Sequence, residues 1–346
     1  MAMLLQMGPD MTPALIIISV ALRLAHKIGL HNRLASDHLD SVERRQRARL
    51  FWLAYILDKD SSLRTQQPSV QVDDDIDIDL PVWLPSEDDN DAGIGTVTTS
   101  DGSAKMDHFL ARVQLAHIQG SIADHLYSTR SSKRSVEERK AIRERIVTAL
   151  DEWKASVPSE FSAANVMMTT SNNPSTAGFF CALHTCSLLC LVLITRSHAW
   201  DEQWVSDLRD HGRGNRVLEL PSDFAAMVGQ ARDLMILFEH TIKAYAWLKW
   251  VGACTYTSAM VLLTANKLHN IHHEEFEKDT DRIERSLAWF REASKQRPSK
   301  VADMLCDVCA EAVETMKQRR ADDLTLTLDG DWLVGFINSL EPSDRI

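Results

Sequence analysis

Residues 43–70 read ERRQRARLFWLAYILDKDSSLRTQQPSV, and this stretch decides the fold of the chain. Its apolar residues recur at helical spacing, whereas alternating runs of β-branched residues are scarce throughout the sequence. Phe51, Trp52 and Tyr55 lie on one side of the pattern, which predicts the core stripe of a helix. The same spacing continues along most of the chain, so the predicted fold class is all-α, with long polar loops.

The ends of this helix follow from four residues. Asp40 with Glu43 three positions later forms the acidic version of a capping box, which predicts the helix start. The helix should run to about Leu63, and Pro68 excludes its continuation.

The flanking segments are ALRLAHKIGLH at 21–31 and QVDDDIDIDLP at 71–81. Thr12 and Pro13 predict the cap and first position of the preceding helix, and Gly29 can take the left-handed conformation that ends it. The 71–81 segment should be extended, with its aspartates facing outward toward the arginines of the helix before it. Its inward side chains would be Ile76, Ile78 and Leu80.

The aspartate run also raises the question of calcium, because Ca²⁺ takes carboxylate oxygens from alternating positions of a loop. An EF-hand loop needs glycine at its sixth position and glutamate at its twelfth. Counting from Asp73 gives Ile78 and Leu84, and counting from Asp75 gives Leu80 and Ser86. The structural reading is therefore preferred over a metal site.

Together these segments resemble the fungal-specific transcription factor domain, the middle homology region of fungal zinc-cluster transcription factors. The resemblance rests on Ile28-Gly29-Leu30-His31, on the basic helix with its Phe-Trp pair, on Gln66-Gln67-Pro68, and on Asp73 to Pro81. It implies a helical regulatory domain in which these positions keep the motif structure. The motif residues are Gly29, Leu30, His31, Arg49, Phe51, Trp52, Asp58, Pro68, Asp75 and Pro81.

The zinc cluster that gives this family its DNA-binding module needs paired cysteines in a short N-terminal segment. The six cysteines here all lie in the second half of the chain, at Cys181, Cys186, Cys190, Cys254, Cys306 and Cys309. The expectation is a truncated or stand-alone version of the domain. A formal charge of −11, from 38 Lys plus Arg against 49 Asp plus Glu, disfavours direct nucleic-acid binding.

The predicted organisation has four parts. Residues 1–85 start the helical domain and carry the family motifs, 86–105 form a mobile loop, 106–325 complete the bundle, and 326–346 form a C-terminal tail. Ser135 with Glu138 forms a second capping box before a helix that ends near Pro158. Later helices are predicted at about 176–197, 222–245, 247–272, 280–296 and 299–320.

No charge-free apolar stretch of about 18 residues is apparent, so no membrane span is expected. The apolar start of the chain is read as a buried helix, because no basic region precedes Leu15 to Leu22 as in a signal peptide. Cysteines scattered inside apolar helices suit a reducing compartment, which predicts a nuclear or cytoplasmic protein.

The remaining clusters favour structural roles. Arg44, Arg45, Arg47 and Arg49 are interpreted as internal ion-pair partners of Asp58, Asp60 and the aspartate run. His269 and His273, one helical turn apart beside His272, Glu274 and Glu275, suggest zinc, but a solvated helix end is preferred. Cys306 and Cys309 are expected to pack in the core. No cofactor, metal or catalytic residue is assigned.

Three functions remain open. The first is a transcription regulator that acts through a protein partner or a small-molecule effector bound in an inter-helix cavity, without its own DNA-binding module. The second is a stand-alone copy of the domain recruited as an enzyme, which converts an apolar substrate of secondary metabolism inside a cavity. The third is a non-catalytic dimerisation module that forms a homodimer, and an exposed apolar face would favour it.

Overall fold

The computed structural model describes residues 11–81, 95–171, 174–200, 218–245, 247–270 and 272–296, with separate positions between 203 and 211 and between 303 and 317. Within these residues the fold is predominantly α-helical, as the sequence predicts. The chain divides into two compact units. One comprises Met1–Ile194 with Leu237–Cys254, and the other comprises Thr195–Ile236 with Thr255–Ile346.

Nine α-helices are assigned in the described ranges. They are α1 (Thr12–Lys27), α2 (Ser41–Thr65), α3 (His108–Ile122), α4 (Val136–Ser156), α5 (Val166–Thr169), α6 (Pro174–Arg196), α7 (Phe224–Thr241), α8 (Leu248–His269) and α9 (Phe276–Gln296). A π-helical turn, Ala123–Tyr127, continues α3. Described positions within the helix predicted at 299–320 are helical as well.

The end of helix α1 agrees with the sequence prediction, but its N-terminal cap does not. Gly29 has φ +70°, and the Gly29 and Leu30 amides donate to the carbonyls of His26 and Ala25, which is a Schellman ending. A Cβ on Gly29 would lie 2.4 Å from that of Ala35, so space as well as φ requires glycine. The predicted Thr12 cap is wrong, because α1 starts at Thr12 after Met11 without a side-chain cap.

Both predicted caps of the longer helices are present. The Asp40 carboxylate accepts from the amides of Val42 and Glu43 at the start of α2. Ser135 and Glu138 form a complete capping box at α4. Helix α2 ends at Thr65 rather than near Leu63, because Gln66 takes a left-handed conformation and its amide bonds to Ser62.

The segment predicted as a loop at 86–105 is only partly described. Its residues 95–105 contain β1 (Thr96–Thr98), which pairs in antiparallel fashion with β2 (Lys105–Asp107). This pairing corrects the loop prediction for the second half of the segment. Residues 82–94 and 318–346, and with them the whole predicted tail at 326–346, lie outside the described residues.

The first unit is built on α2. Its Phe51, Trp52 and Tyr55 pack with Val113 and Ala116 of α3 in one buried cluster. A second cluster joins α1 to the other side of α2, through contacts among Ala14, Ile18, Leu22, Ala54 and Leu57. Helix α2 therefore contacts α1 on one side and α3 on the other.

Helix α6 is long and apolar enough over Ser175–Arg196 to cross a membrane by length and composition. That finding corrects the expectation of no such segment. However, 72% of its most apolar window is buried inside the protein, as in the core helix of a globular unit.

Candidate functional site

The segment after α2, residues 66–81, is anchored by charged side chains of that helix. The Asp58 carboxylate accepts hydrogen bonds from the amides of Val70 and Gln71, at 3.0–3.1 Å. These bonds satisfy two backbone N–H groups that belong to no helix or strand. The partners of Asp58 are therefore backbone amides instead of the predicted arginines.

Lys59 is the centre of this anchor and is fully buried. Its ammonium donates to the Gln71 carbonyl at 2.7 Å and to the Ser69 hydroxyl at 3.0 Å, and it pairs with the Asp73 carboxylate at 2.8 Å. A Cβ at Gly120 of α3 would lie 3.0–3.2 Å from the Lys59 side chain. Glycine at that position therefore leaves space for the lysine.

The Asp73 carboxylate also connects to α2 and α3. The Tyr55 hydroxyl donates to both of its oxygens at 3.1 Å, and the His117 Nδ1 lies 2.9 Å from Oδ2. Burial and the nearby Asp73 charge raise the pKa of Tyr55, so the phenol stays protonated. Burial alone would raise the pKa of Asp73, but His117 and Lys59 hold it below its usual value. The hydrogen bond to Asp73 raises the pKa of His117.

Backbone bonds fix the far end of the same segment. The Asp77 amide donates to the His31 carbonyl, and the Arg33 amide donates to the Asp77 carbonyl, both at 2.9 Å. Arg33 pairs with Asp79 at 2.7 Å, and the Trp52 indole donates to the Asp79 carbonyl at 3.0 Å. The motif after α1 and the aspartate run are therefore joined directly.

An open groove of about 390 Å³ lies beside this junction. Leu30, Ile78 and Phe109 supply apolar lining, and Arg44 and Arg49 supply charge. The other lining residues are Arg33, Ser36, Asp37, Ser41, Arg45, Ala48, Asp79, Leu80, Pro81 and Asp107. Three of the predicted motif residues, Leu30, Arg49 and Pro81, thus meet at one groove.

Helix α1 presents an apolar face to solvent, which we call the α1 face. It consists of Ile16, Val20, Leu24 and Ile28, and each of these side chains is 54–60% exposed. Their spacing of four residues places them in one row along the helix. A contiguous exposed apolar row of this kind is typical of an interaction surface.

The other predicted motif residues have varied settings. Phe51 and Trp52 are buried, whereas Pro68 and Asp75 are exposed. His31 contacts the His26 ring at 4.7 Å, and burial followed by the His26 charge lowers its pKa.

Two expectations for the aspartate run are wrong. Asp73 points inward to Lys59, although the aspartates were expected to face outward. Leu80 is 46% exposed, although it was expected to face inward. Asp73 turns inward because the buried Lys59 ammonium requires an anionic partner.

The arginine prediction is also partly wrong. Arg47 donates to the Ser36 hydroxyl and to the Ile28 carbonyl, so it joins α2 to the end of α1 instead of binding an aspartate. Asp60 pairs with Arg64, at 3.5 Å.

The histidine pattern does not form a shared site. Helix α8 ends at His269, and this ring stacks on His211 with centroids 4.8 Å apart. His273 follows the helix end and lies 3.9 Å from Asp279. Cys306 and Cys309 are both buried. Within the described residues, no group of three or more His, Cys, Asp or Glu side chains is arranged to hold a metal ion.

Comparisons with a family model and with known proteins point to the same family. Residues 4–155 match the fungal specific transcription factor domain. An ABC-transporter-regulating transcription factor of Aspergillus fumigatus is 33% identical over 275 residues, which cover 78% of this chain and 30% of that protein. Its Aspergillus oryzae counterpart is 34% identical over the same shares.

A more distant relative is an uncharacterized transcriptional regulatory protein of Schizosaccharomyces pombe. It is 26% identical over 247 residues, which cover 65% of this chain and 28% of that protein. No solved structure gives a significant match. The chain spans about 30% of the length of the first curated relatives it matches. It therefore carries a fungal-specific transcription factor domain at residues 4–155 and is similar to fungal transcription regulators over most of its length.

Proposed function

We propose that this chain is the regulatory part of a fungal transcription regulator and that it acts through protein contact at the α1 face. The observation that carries the proposal is the exposed row Ile16, Val20, Leu24 and Ile28 on a helix inside the matched domain. Burying such side chains against a partner is favourable by about 25 cal/mol per Å² of apolar surface. The proposed place of action is the nucleus.

The charge beside the α1 face indicates the chemistry of the partner. Arg23 and Lys27 border the row on one side, and Thr12–Lys27 contains no acidic residue. A partner helix with an apolar stripe and acidic neighbours would match both properties. A second copy of α1 would bring basic residues without acidic ones.

The test replaces two residues of the row by charge. A fungal strain should produce the chain with Val20→Glu and Leu24→Glu in place of the natural protein, and its transcripts should be compared genome-wide with those of the natural and deletion strains. Because buried charge opposes association, the double variant should reproduce most of the deletion profile. The matched control is Met168→Glu, at an exposed apolar residue of α5.

The two variants must first be shown to fold, by equal melting temperatures within a few degrees. If the folded double variant keeps the natural transcript profile, the α1 face is not the regulatory contact. If the deletion strain itself shows no change in transcripts, transcriptional control by this chain is overturned.

The same face favours a second candidate, a homodimer. Sedimentation velocity of the purified chain would then show a dimer that the double variant converts to a monomer. A monomer in both cases favours the acidic partner. The same preparation should not retard a pooled DNA library, because the formal charge of −11 opposes phosphate binding. Binding that weakens with salt would contradict that part of the proposal.

A further inference from the structure

A cluster of charged and polar side chains lies inside the first unit, where α2, α3 and α6 contribute residues. Asp60 of α2 accepts hydrogen bonds at Oδ1 from the Gln119 amide and from the Cys186 thiol, both at 3.2 Å. Its Oδ2 lies 3.5 Å from Nε of Arg64. The Arg64 guanidinium also donates to the Val251 carbonyl at 2.9 Å. We call this group the Asp60 cluster.

Arg112 of α3 is the second cation of the cluster. Burial alone would raise the pKa of Asp60, but the charges of Arg64 and Arg112 hold it below its usual value. Burial raises the pKa of Cys186 to about 11, so its thiol is neutral and donates to Asp60. The His108 ring near Arg112 is neutral too, because burial lowers its pKa to about 4.

The cluster therefore has two guanidinium groups and one carboxylate. Within the described residues, no second carboxylate pairs with Arg64 or Arg112. The Asp60 side chain is 7% exposed and that of Arg64 is 6% exposed, so solvent compensates little of the surplus positive charge. An uncompensated charge in such a place costs several kcal/mol.

Several polar atoms of the cluster are also shielded from solvent without a hydrogen-bond partner among the described residues. These atoms are Nε and Nη2 of Arg64, Nη1 of Arg112 and Oε1 of Gln119. Three of the four are cationic donors. Buried water can serve such donors, but water does not balance their charge. An anion does both.

We propose that the Asp60 cluster binds a small monovalent anion at the unused donors of Arg64 and Arg112. A short carboxylate suits two guanidinium groups best, because the planar fork donates two parallel hydrogen bonds to its oxygens. A halide shares the charge but lacks this geometry. The site is a candidate effector site, and its existence does not depend on what the protein regulates or on the α1 face.

The first measurement is the melting temperature of the whole purified chain. The buffer anion should be a bulky sulfonate, replaced stepwise by acetate or by bromide at constant ionic strength. Each tenfold increase above the dissociation constant should raise the melting temperature by roughly 3–6 °C. Acetate should act at lower concentration than bromide if the carboxylate geometry matters.

Variants assign the effect to the cluster. Arg112→Gln removes the surplus charge and should abolish the rise in melting temperature with acetate. Asp60→Asn increases the surplus and should enlarge the rise. Arg139→Gln, on an exposed position of α4, should behave as the natural chain does. If Arg112→Gln does not fold, Arg64→Gln serves the same purpose.

A crystal soaked in bromide gives the direct test, because bromide is located by anomalous scattering. A peak within hydrogen-bond distance of Arg64 or Arg112 is expected. The proposal is overturned if ordered water alone occupies the cluster. It is overturned as well if Arg112→Gln and the natural chain respond equally to acetate, since the bromide would then be an adventitious ion only.

Discussion

Two clusters in this protein are each built around a buried aspartate, but their arginines are paired differently. In the second unit, the Asp279 carboxylate of α9 accepts hydrogen bonds from Nε and Nη2 of Arg232 at 2.7–3.2 Å and pairs with Arg282 at 2.9 Å. Glu275 lies 3.6 Å from Arg282 and supplies a second carboxylate. Lys278 also pairs with Glu275, at 2.8 Å. In this group, the Asp279 cluster, both arginines pair with a carboxylate at 2.7–2.9 Å, whereas the Asp60 cluster has two guanidinium groups and one carboxylate.

The difference separates a structural ion-pair network from a site that lacks a partner. A buried aspartate stabilises a fold when its arginines are bound in close, two-pronged geometry. The Asp279 cluster has that geometry, whereas Asp60 has only a 3.5 Å approach from one arginine. We therefore expect the loss of an arginine to cost more stability in the Asp279 cluster than in the Asp60 cluster.

The largest expected effect is that of Asp279→Asn. It removes the carboxylate that pairs with both Arg232 and Arg282, and breaking a buried pair in this way costs about 3–5 kcal/mol. Urea denaturation of the second unit should show the loss at any anion concentration. Asp281→Asn, an exposed position two residues along the same helix, is the control and should change stability by less than about 0.5 kcal/mol. Equal effects of the two variants would remove the structural role of the Asp279 cluster.

A smaller effect on stability is expected when one arginine of each cluster is replaced by glutamine. Arg232→Gln should cost about 1–3 kcal/mol, because it leaves hydrogen-bonding capacity of the buried Asp279 unused. Arg112→Gln should cost no more than about 1 kcal/mol in sulfonate buffer, because Asp60 keeps Arg64 as its cation and the surplus positive charge is removed. The free energies of unfolding of both variants decide the matter. An Arg112 loss as large as the Arg232 loss would make the two clusters alike.

The smallest effect concerns Asp73, which faces Lys59 and also His117. Here the second cation is a histidine side chain that is 64% exposed, so solvent carries much of the surplus charge. The raised pKa of His117 means that its contribution is complete below about pH 6.5 and is lost as the pH rises through the folded pKa. His117→Gln should remove less than about 1 kcal/mol of stability at pH 6 and flatten the decline toward pH 8.

A second histidine provides the control of opposite sign. Burial lowers the pKa of His125, so its contribution to stability is lost as the pH falls. His125→Gln should therefore flatten the acid side of the profile and leave the decline toward pH 8 unchanged. A His117 variant with an unchanged pH profile would show that its contact with Asp73 is not energetically coupled.

Local patterns predicted much of the fold. Gly29 at the end of α1 and the Ser135 capping box were found from sequence because both depend on residues a few positions apart. The start of α1 was missed because no capping bond forms at Thr12. Helix α8 ends at His269, three residues before the predicted end near 272, because apolar periodicity fixes helix ends poorly.

The charged anchor and the Asp60 cluster were less accessible to sequence analysis. Asp58, Lys59 and Asp60 follow Tyr55 and Ile56 on a helix that is buried on two sides. Three consecutive charged residues in such a helix indicate buried ion pairs or hydrogen bonds, and this sequence feature could have predicted the anchor. Lys59 pairs with Asp73, and Asp60 lies near Arg112 of α3 and accepts from Cys186, which is 126 positions away along the chain, so these partnerships depend on how the helices pack. The surplus positive charge of the Asp60 cluster can be recognised only when the burial of Asp60, Arg64 and Arg112 is known.

The amides held by Asp58 have a consequence for spectroscopy. Val70 and Gln71 lie outside any helix or strand, yet their N–H groups are bonded to a side chain buried in α2. Their protons should therefore exchange with deuterated solvent only when that helix opens, which is slow for core elements. Two amide resonances of an irregular segment would report, residue by residue, how often the central helix of the matched domain unfolds.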